Sequence, residues 1–502
     1  MYASPIGVHP FRYAVRQCSI SKSPVKILVF VIGFLKFGFA DAYNYPETAS
    51  SVIIENLEHG NSTEALSTNH QRRSSFCPGA KWTPYTVQSV KLTNHVFAFR
   101  EALELYSYTG SVHFVAGTSS QKPAVIASVA FAVDPAIKVS DVGFVVTSRG
   151  LELKQPRLDP KAPQCVDIEV VIFIKPGLHM QHLGVEVRPL AVEIDDYIFR
   201  GSGFGKGISI QKSASLKTIS GNIIFGYLSS PDTLIETYSG RIQGTLALHN
   251  RVRLATLSGS IFTTIEPQQE SIGTSPQSAE LSIATRSGHI NTKMTIQGKL
   301  PNRKYKTSVQ TMSGRISGSY IFGETGKFTS YSGRIRADVL PFVFQSVLKR
   351  DSYKQVTTST EEGKSAAANN DAARVAQRLD TAVFSSRTQL RLLDPYYPRF
   401  FHQPFSLTST HTSTSGRLEI EYPREWSGTI AASTMSSTVN IRGSGLEKIA
   451  STSSQGPSRR KSRRSKGGSW RRNGPKSGWG KSGSSKLTLK TMSGRIDMSF
   501  RE

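Results

Sequence analysis

The most legible chemistry in this sequence is carried by basic side chains. Between residues 456 and 486 the run GPSRRKSRRSKGGSWRRNGPKSGWGKSGSSK holds eleven Lys or Arg and no acid. Its centre is Arg459, Arg460, Lys461, Arg463, Arg464, Lys466, Arg471 and Arg472, with Trp470 and Trp479 interleaved. Such a run attracts polyanions, whether acidic glycan, anionic membrane surface or nucleic acid. It reads equally well as a solvated loop. A second basic set is periodic. Arg241, Arg315, Arg334, Arg417 and Arg495 each stand between the Gly and the apolar residue of a recurring Ser-Gly-x-Ile tetrad, and His289 fills one gap. If the apolar residue points inward, strand alternation points the arginine outward. Stacked copies then build a basic stripe suited to a linear anionic polymer. The structural alternative is a slot that needs only a soluble residue.

Chemistry of bond cleavage is not spelled. Glycan-cutting enzymes need paired carboxylates, yet Asp232, Glu236, Glu266, Glu270, Glu280, Glu324 and Asp338 do not recur in repeat register. There is no HExxH, no GxSxG and no Cys/His cluster of zinc spacing, so no catalytic residue, metal or cofactor is expected. The expectation is a non-enzymatic interaction protein. A carbohydrate-active β-helix enzyme and an intracellular nucleic-acid binder are the alternatives.

The elements that position these residues follow from self-similarity. Tetrads begin at Ser220, Ser239, Ser258, Ser287, Ser313, Ser332, Ser415 and Ser493, with a degenerate SSTV at Ser436. The shortest steps are 19 residues. Two residues before the Ser stands Thr or Ser, as in Thr218, Thr237, Thr256, Thr285 and Thr311. Four before stands an apolar residue, as in Leu216, Ile235, Leu254 and Ile283. Apolar residues alternate after the Gly. Period two on both sides of a Ser-Gly bend means strand, bend, strand. The Gly permits a corner that a Cβ would obstruct. One such unit cannot bury its own apolar face, but stacked units can, with parallel strands about 4.8 Å apart. The fold class expected is therefore all-β, a parallel β-solenoid with coils of about 19 residues, interrupted by two long loop insertions. Threonine hydroxyls are expected to satisfy one another along the axis. The residue before most of these serines is apolar (Ile219, Tyr238, Leu257, Met312, Tyr331, Met435, Met492); corner geometry is expected to turn it inward, the alternative being an outward apolar stripe that is a docking surface or is covered by an insertion.

The repeated Ser-Gly-x-Ile on this period, preceded by CVDIEVVIFI, resembles the β-solenoid family described as putative adhesins, the DUF4097 type, in its fungal secreted or surface form. The match is best over residues 200–340 and recurs in pieces over 405–442 and 486–502. The resemblance implies a solenoid and a surface setting. It implies no functional residues.

Composition agrees with an exported, soluble, basic chain. In 502 residues the net charge is +26, 38% are hydrophobic and 41 are glycine, which excludes a multispanning membrane protein and an acidic disordered tail. Residues 1–26 are basic and free of acid, and Ile27 to Leu35 are apolar. Those nine residues make about 14 Å of helix against a bilayer core of about 30 Å. With Ala40-Asp41-Ala42 following, 1–42 reads as a signal peptide or, alternatively, a type II signal anchor. Residues 43–76 read as a polar linker or a propeptide released at Arg72-Arg73, with a glycosylation sequon at Asn61. Cys77 and Cys165 form a candidate disulfide, or two buried thiols. The remaining divisions are 77–200, irregular N-terminal β coils; 201–344, regular solenoid; 345–405, an insertion with a short helix in Glu361–Leu379; 406–442, solenoid; 443–486, the basic insertion; and 487–502, the terminal coil. The partners implied are acidic glycan, cell wall or an anionic membrane surface, with nucleic acid second.

Overall fold

A computed structural model describes residues 76–501 except 78, 84–85, 102–107, 135–142, 148, 155–164, 202–206, 271–277, 297, 345–375, 398–405, 450–465 and 473–484. The expected signal segment, the sequon at Asn61 and Arg459 to Arg464 lie outside the described residues. The chain is an all-β solenoid in which the strands form one continuous, mostly parallel ladder. Each regular coil has a first strand, a bend of four residues and a second strand. Ser209–Thr218 leads through Ser220 into Ile223–Thr237, and Ala279–Thr285 leads through Ser287 into Ile290–Met294. Register is kept from coil to coil: Ile223 pairs with Ile242, Ile242 with Ile261, Ile261 with Ile290 and Ile290 with Ile316. All of these isoleucines are fully buried. Removing each from water stabilises the fold by about 2 kcal/mol.

The Gly of the tetrad is required by close approach rather than by backbone angle. A Cβ on Gly240 would lie 1.9 Å from the Gly221 carbonyl oxygen, on Gly259 1.8 Å from that of Gly240, and on Gly314 1.7 Å from that of Gly288. None of these glycines has positive φ. The preceding Thr caps the bend: Gly240, Gly288, Gly314 and Gly494 each donate N–H to the threonine Oγ1 of their own coil at 2.8–3.0 Å. Direct Thr-to-Thr bonds along the axis occur at Thr218–Thr237 (2.9 Å) and Thr256–Thr285 (3.4 Å). The hydroxyl column is thus mainly a set of bend caps, and only secondarily the expected ladder.

Three features differ from the sequence expectation. First, the 345–405 insertion contains a coil. Ala376–Val383 and Thr388–Leu392 are strands that pair in parallel with Thr325–Ser330 and Ile335–Pro341. Ala376–Leu379, expected at the end of a helix, is therefore strand. The bend of this coil is Ser385-Ser386-Arg387, with Val383 in the capping slot and Ser386 in the Gly slot.

Second, axial order departs from chain order at both ends. The Ser493 coil, Ser485–Thr491 and Ile496–Phe500, lies between the Ser415 coil, Ser406–Ser413 and Leu418–Tyr422, and the Ser436 coil, Gly428–Thr434 and Val439–Arg442. The last coil in sequence is an interior rung. Likewise, Val96–Glu101 and Tyr108–Ala116 sit between the pair Gly150–Lys154 and Val166–Ile174 and the pair His179–Glu186 and Ala191–Ile194.

Third, both ends are closed by antiparallel strands. Val125–Val133 covers Val166–Ile174, and Gly143–Thr147 covers Gly150–Lys154. At the other end Lys466–Arg472 covers Gly428–Thr434 and is itself covered by Leu446–Ile449. Such caps occupy edges that would otherwise template pairing with another chain. A disulfide joins Cys77 to Cys165, Cα to Cα 5.6 Å, at the N-terminal cap.

Candidate binding edge

In chain order, 271–277, 345–375 and 398–405 fall between the second strand of one coil and the first strand of the next, not at the bends. The Ser-Gly bends form one edge of the solenoid, where each coil turns within four residues between its first and second strands. Their outward side chains stack into columns.

The first column is the residue before each Ser, and here the expectation of inward packing is overturned. Ile219 (38%), Tyr238 (53%), Met312 (42%), Tyr331 (57%), Phe384 (45%), Met492 (54%) and Met435 (56%) are all exposed. Strand alternation explains this. The capping Thr immediately before it faces inward, so this residue faces out, as does the Ser that follows it into the bend. Arg286 takes this slot in the Ser287 coil and is also exposed. Tyr331 and Phe384, on adjacent rungs, stack with centroids 4.7 Å apart and planes 3° from parallel.

The second column is the serines. Ser239, Ser258, Ser287, Ser313 and Ser332 donate Oγ–H to the backbone carbonyl of the first-column residue one rung below, at 3.3–3.5 Å.

The third column is the expected arginine ladder. Arg241, Arg315, Arg334, Arg417 and Arg495 are all exposed and in one register. Arg387 joins them from the hidden coil; the sequence reading missed it because its tetrad is spelled SSRT. The column is not electrically uniform. Arg387 forms a forked pair with Glu419 (2.9 and 2.6 Å). Arg417 pairs with Glu419 and Asp497, each at 2.7 Å, and Arg495 pairs with Asp497 at 2.8 Å. Burial pushes the Glu419 carboxyl up, but hydrogen bonds from Arg387 and Gln389 and the Arg387 and Arg417 charges hold it below its ordinary range. At Asp497, burial is outweighed likewise by Arg495, Asn440 and Arg417. This C-terminal part of the ladder is therefore largely offset, with three guanidiniums sharing two carboxylates. Arg315 and Arg334 form no ion pair among the described residues, nor does Arg286, and Arg241 lies over the Phe262 ring at 5.4 Å.

The basic segment divides. Arg471 is exposed, but Arg472 is buried, which corrects its assignment to a polyanion-binding arm. Its guanidinium donates to the carbonyls of Ser444 (3.1 Å), Pro423 (3.3 Å) and Trp426 (3.2 Å) and lies 3.8 Å from the Phe500 ring centre. Its role is to fasten the C-terminal cap. Lys466 begins the same capping strand. Among the described residues there is no group of three or more potential metal ligands, and no helix is long and apolar enough to cross a membrane.

No protein-family model matches the chain, so membership of the DUF4097-type family is not shown, and no curated protein matches it by sequence. Solved structures similar to the chain include two named as adhesion proteins. One is a putative adhesin from Parabacteroides distasonis, at 8% identity and a TM-score of 0.27 over 68% of this chain and 98% of that one. The other is a putative cell adhesion protein from Clostridium sporogenes, at 8% identity and a TM-score of 0.14 over 84% and 100%. No residue role comes to this chain from them.

Proposed function

We propose that this chain is an exported, non-catalytic surface protein that attaches to other surfaces through the side-chain columns of its bend edge. The observation that carries the reading is the edge itself: an exposed apolar column, a hydroxyl column and a cation column in one register. Buried apolar residues need no such outward apolar repetition, and an exposed apolar stripe marks an interaction surface. The strand faces contrast with it. There, charges on neighbouring rungs are opposite in sign, as in Lys217–Glu236, Arg251–Glu280 and Lys306–Glu324. Pairing of this kind also works against the enzyme alternative, because these carboxylates are engaged with cations rather than facing one another. The Cys77–Cys165 disulfide favours an oxidising compartment over the cytosol or nucleus.

Two measurements test this reading. Expressed with its native N-terminus in a eukaryotic secretory host, the chain should reach the medium starting at Tyr43 or Ser74. Beads coated with that protein should attach to cell-wall material, and attachment should fall when Tyr331 and Phe384 are changed together to Ser. Retention in cells with Met1 intact would contradict export. Attachment indifferent to the edge would contradict the assigned surface.

A further inference from the structure

We infer that the stretch of the bend edge from the Ser287 coil to the Ser385 coil binds a linear acidic polysaccharide of the polyuronate type. The inference rests on the reading of that edge as the attachment surface and adds the chemistry of what it holds.

Charge selects the stretch. Acids pair with the cation column only from Glu419 onward, where Glu419 and Asp497 together offset most of the charge of Arg387, Arg417 and Arg495. Arg315 and Arg334 occupy successive rungs of this column, with His289 in the rung before and Arg286 beside it in the first column; both arginines and Arg286 are exposed and without an acidic partner among the described residues. Like charges at rung spacing, about 4.8 Å, repel. The same chain relieves such repulsion on its strand faces by alternating sign. An anion from outside, carrying one charge per repeating unit, would relieve it here.

Polar and apolar groups narrow the ligand further. The exposed serine hydroxyls of these rungs make only long contacts to backbone carbonyls, so they can still donate to or accept from the hydroxyls of a polyhydroxylated ligand. Met312, Tyr331 and Phe384 add an apolar strip beside them, suited to the C–H faces of sugar rings. The stacking of Tyr331 on Phe384 argues against nucleic acid. Single strands bind by laying bases on free aromatic faces, whereas these two rings present faces to each other at the rung spacing and their rims to the edge. Finally, a polymer of identical units matches a surface of identical rungs, so several weak contacts act together.

The test uses the full chain and three probes: polygalacturonate, neutral dextran and oligo(dT). Binding is measured at moderate salt for wild type, Arg315→Gln/Arg334→Gln, Tyr331→Ser/Phe384→Ser and the strand-face control Arg251→Gln/Lys306→Gln. Wild type and control should bind polygalacturonate alike, with dextran not bound. Each edge variant should lose at least tenfold in affinity while keeping the wild-type unfolding midpoint, since the altered residues are exposed. Edge variants that bind polygalacturonate like wild type overturn the inference, and so does loss confined to an Arg463→Gln/Arg464→Gln variant. Oligo(dT) bound as tightly, with the same losses, overturns the glycan assignment. A wild-type dimer in sedimentation that Tyr331→Ser/Phe384→Ser dissociates makes the edge a self-interface and likewise overturns it. If polygalacturonate is not bound but bead attachment still depends on the edge, only this inference falls and the attachment reading stands.

Discussion

Gly314→Ala tests the stacking of the bends most quantitatively. The added Cβ would sit 1.7 Å from the Gly288 carbonyl oxygen, 2.7 Å from its carbon and 3.0 Å from Thr311 Oγ1, whereas ordinary contact begins at 3.4 Å. The bend must therefore move by more than an ångström. That displacement disturbs three hydrogen bonds: Met312 N–H to Arg286 O (3.1 Å), Ser313 N–H to Arg286 O (2.9 Å) and Gly314 N–H to Thr311 Oγ1 (2.9 Å). At about 1 kcal/mol each, with about 1–2 kcal/mol of overpacking against the rung below, the expected loss is about 4–5 kcal/mol. The matched control is Gly298→Ala, where φ is +84° and nothing lies within 4 Å, so that only backbone strain of about 1 kcal/mol applies. Chemical denaturation of the two variants beside wild type reads the difference. A Gly314→Ala loss no greater than that of Gly298→Ala would refute the argument that close approach dictates the glycine.

Further consequences concern the core and the N-terminal cap. Thr388 occupies the slot of the buried isoleucines, between Ile335 and Leu418, and its Oγ1 has no hydrogen-bond partner; Thr388→Val should raise stability by about 1–2 kcal/mol in the same assay. His411 takes a core slot, bonded through Nδ1 to Thr381 Oγ1 (2.7 Å) and through Nε2 to the Tyr422 hydroxyl (3.1 Å), and burial pushes it down to about 3. The unfolded chain takes up that proton near pH 6.5, so this contribution is complete above pH 6.5 and is lost as pH falls toward 3. Stability measured from pH 7 to pH 4 should therefore fall less steeply in His411→Gln than in wild type; equal slopes would contradict a buried neutral histidine. Reducing the Cys77–Cys165 disulfide reopens a loop with 88 residues of separation. Denaturation with and without reductant should differ by at most about 4–5 kcal/mol, and Cys165→Ser should abolish the difference.

What the sequence made legible follows from how strictly each position is constrained. The Ser-Gly-x-Ile coils stood out because the approach of successive bends excludes any side chain and the free Gly N–H requires a hydroxyl. Where both constraints change together, at Val383 and Ser386, the spelling disappears and the coil was read as part of an insertion. Axial order was not legible, because every rung presents the same columns and nothing in the spelling of the Ser493 coil says which rung it docks on. The outward apolar column follows from strand alternation after the inward capping Thr, and the sequence reading held it only as the alternative to inward packing. The acid-paired arginines also had a signal: Arg417 and Glu419, like Arg495 and Asp497, are two residues apart on a strand and so share a face. Arg472 had none, since its burial depends on carbonyls at Pro423, Trp426 and Ser444 that converge only in the cap.

The most direct test of the account is the neighbour relation of the bends, on which every column depends. Neighbouring rungs bring Cα atoms to about 4.8 Å, within disulfide reach, whereas the next rung lies near 10 Å, beyond it. In chains carrying Thr414→Cys with Met492→Cys, or Thr414→Cys with Met435→Cys, mild oxidation followed by mass mapping should give the 414–492 link and not the 414–435 link. The backbone bonds from Ser493 N–H to Thr414 O (2.9 Å) and from Met435 N–H to Met492 O (3.1 Å) place the three rungs in that order. Efficient 414–435 linkage without 414–492 linkage would mean that the coils stack in chain order, and the assigned columns at this end would be wrong.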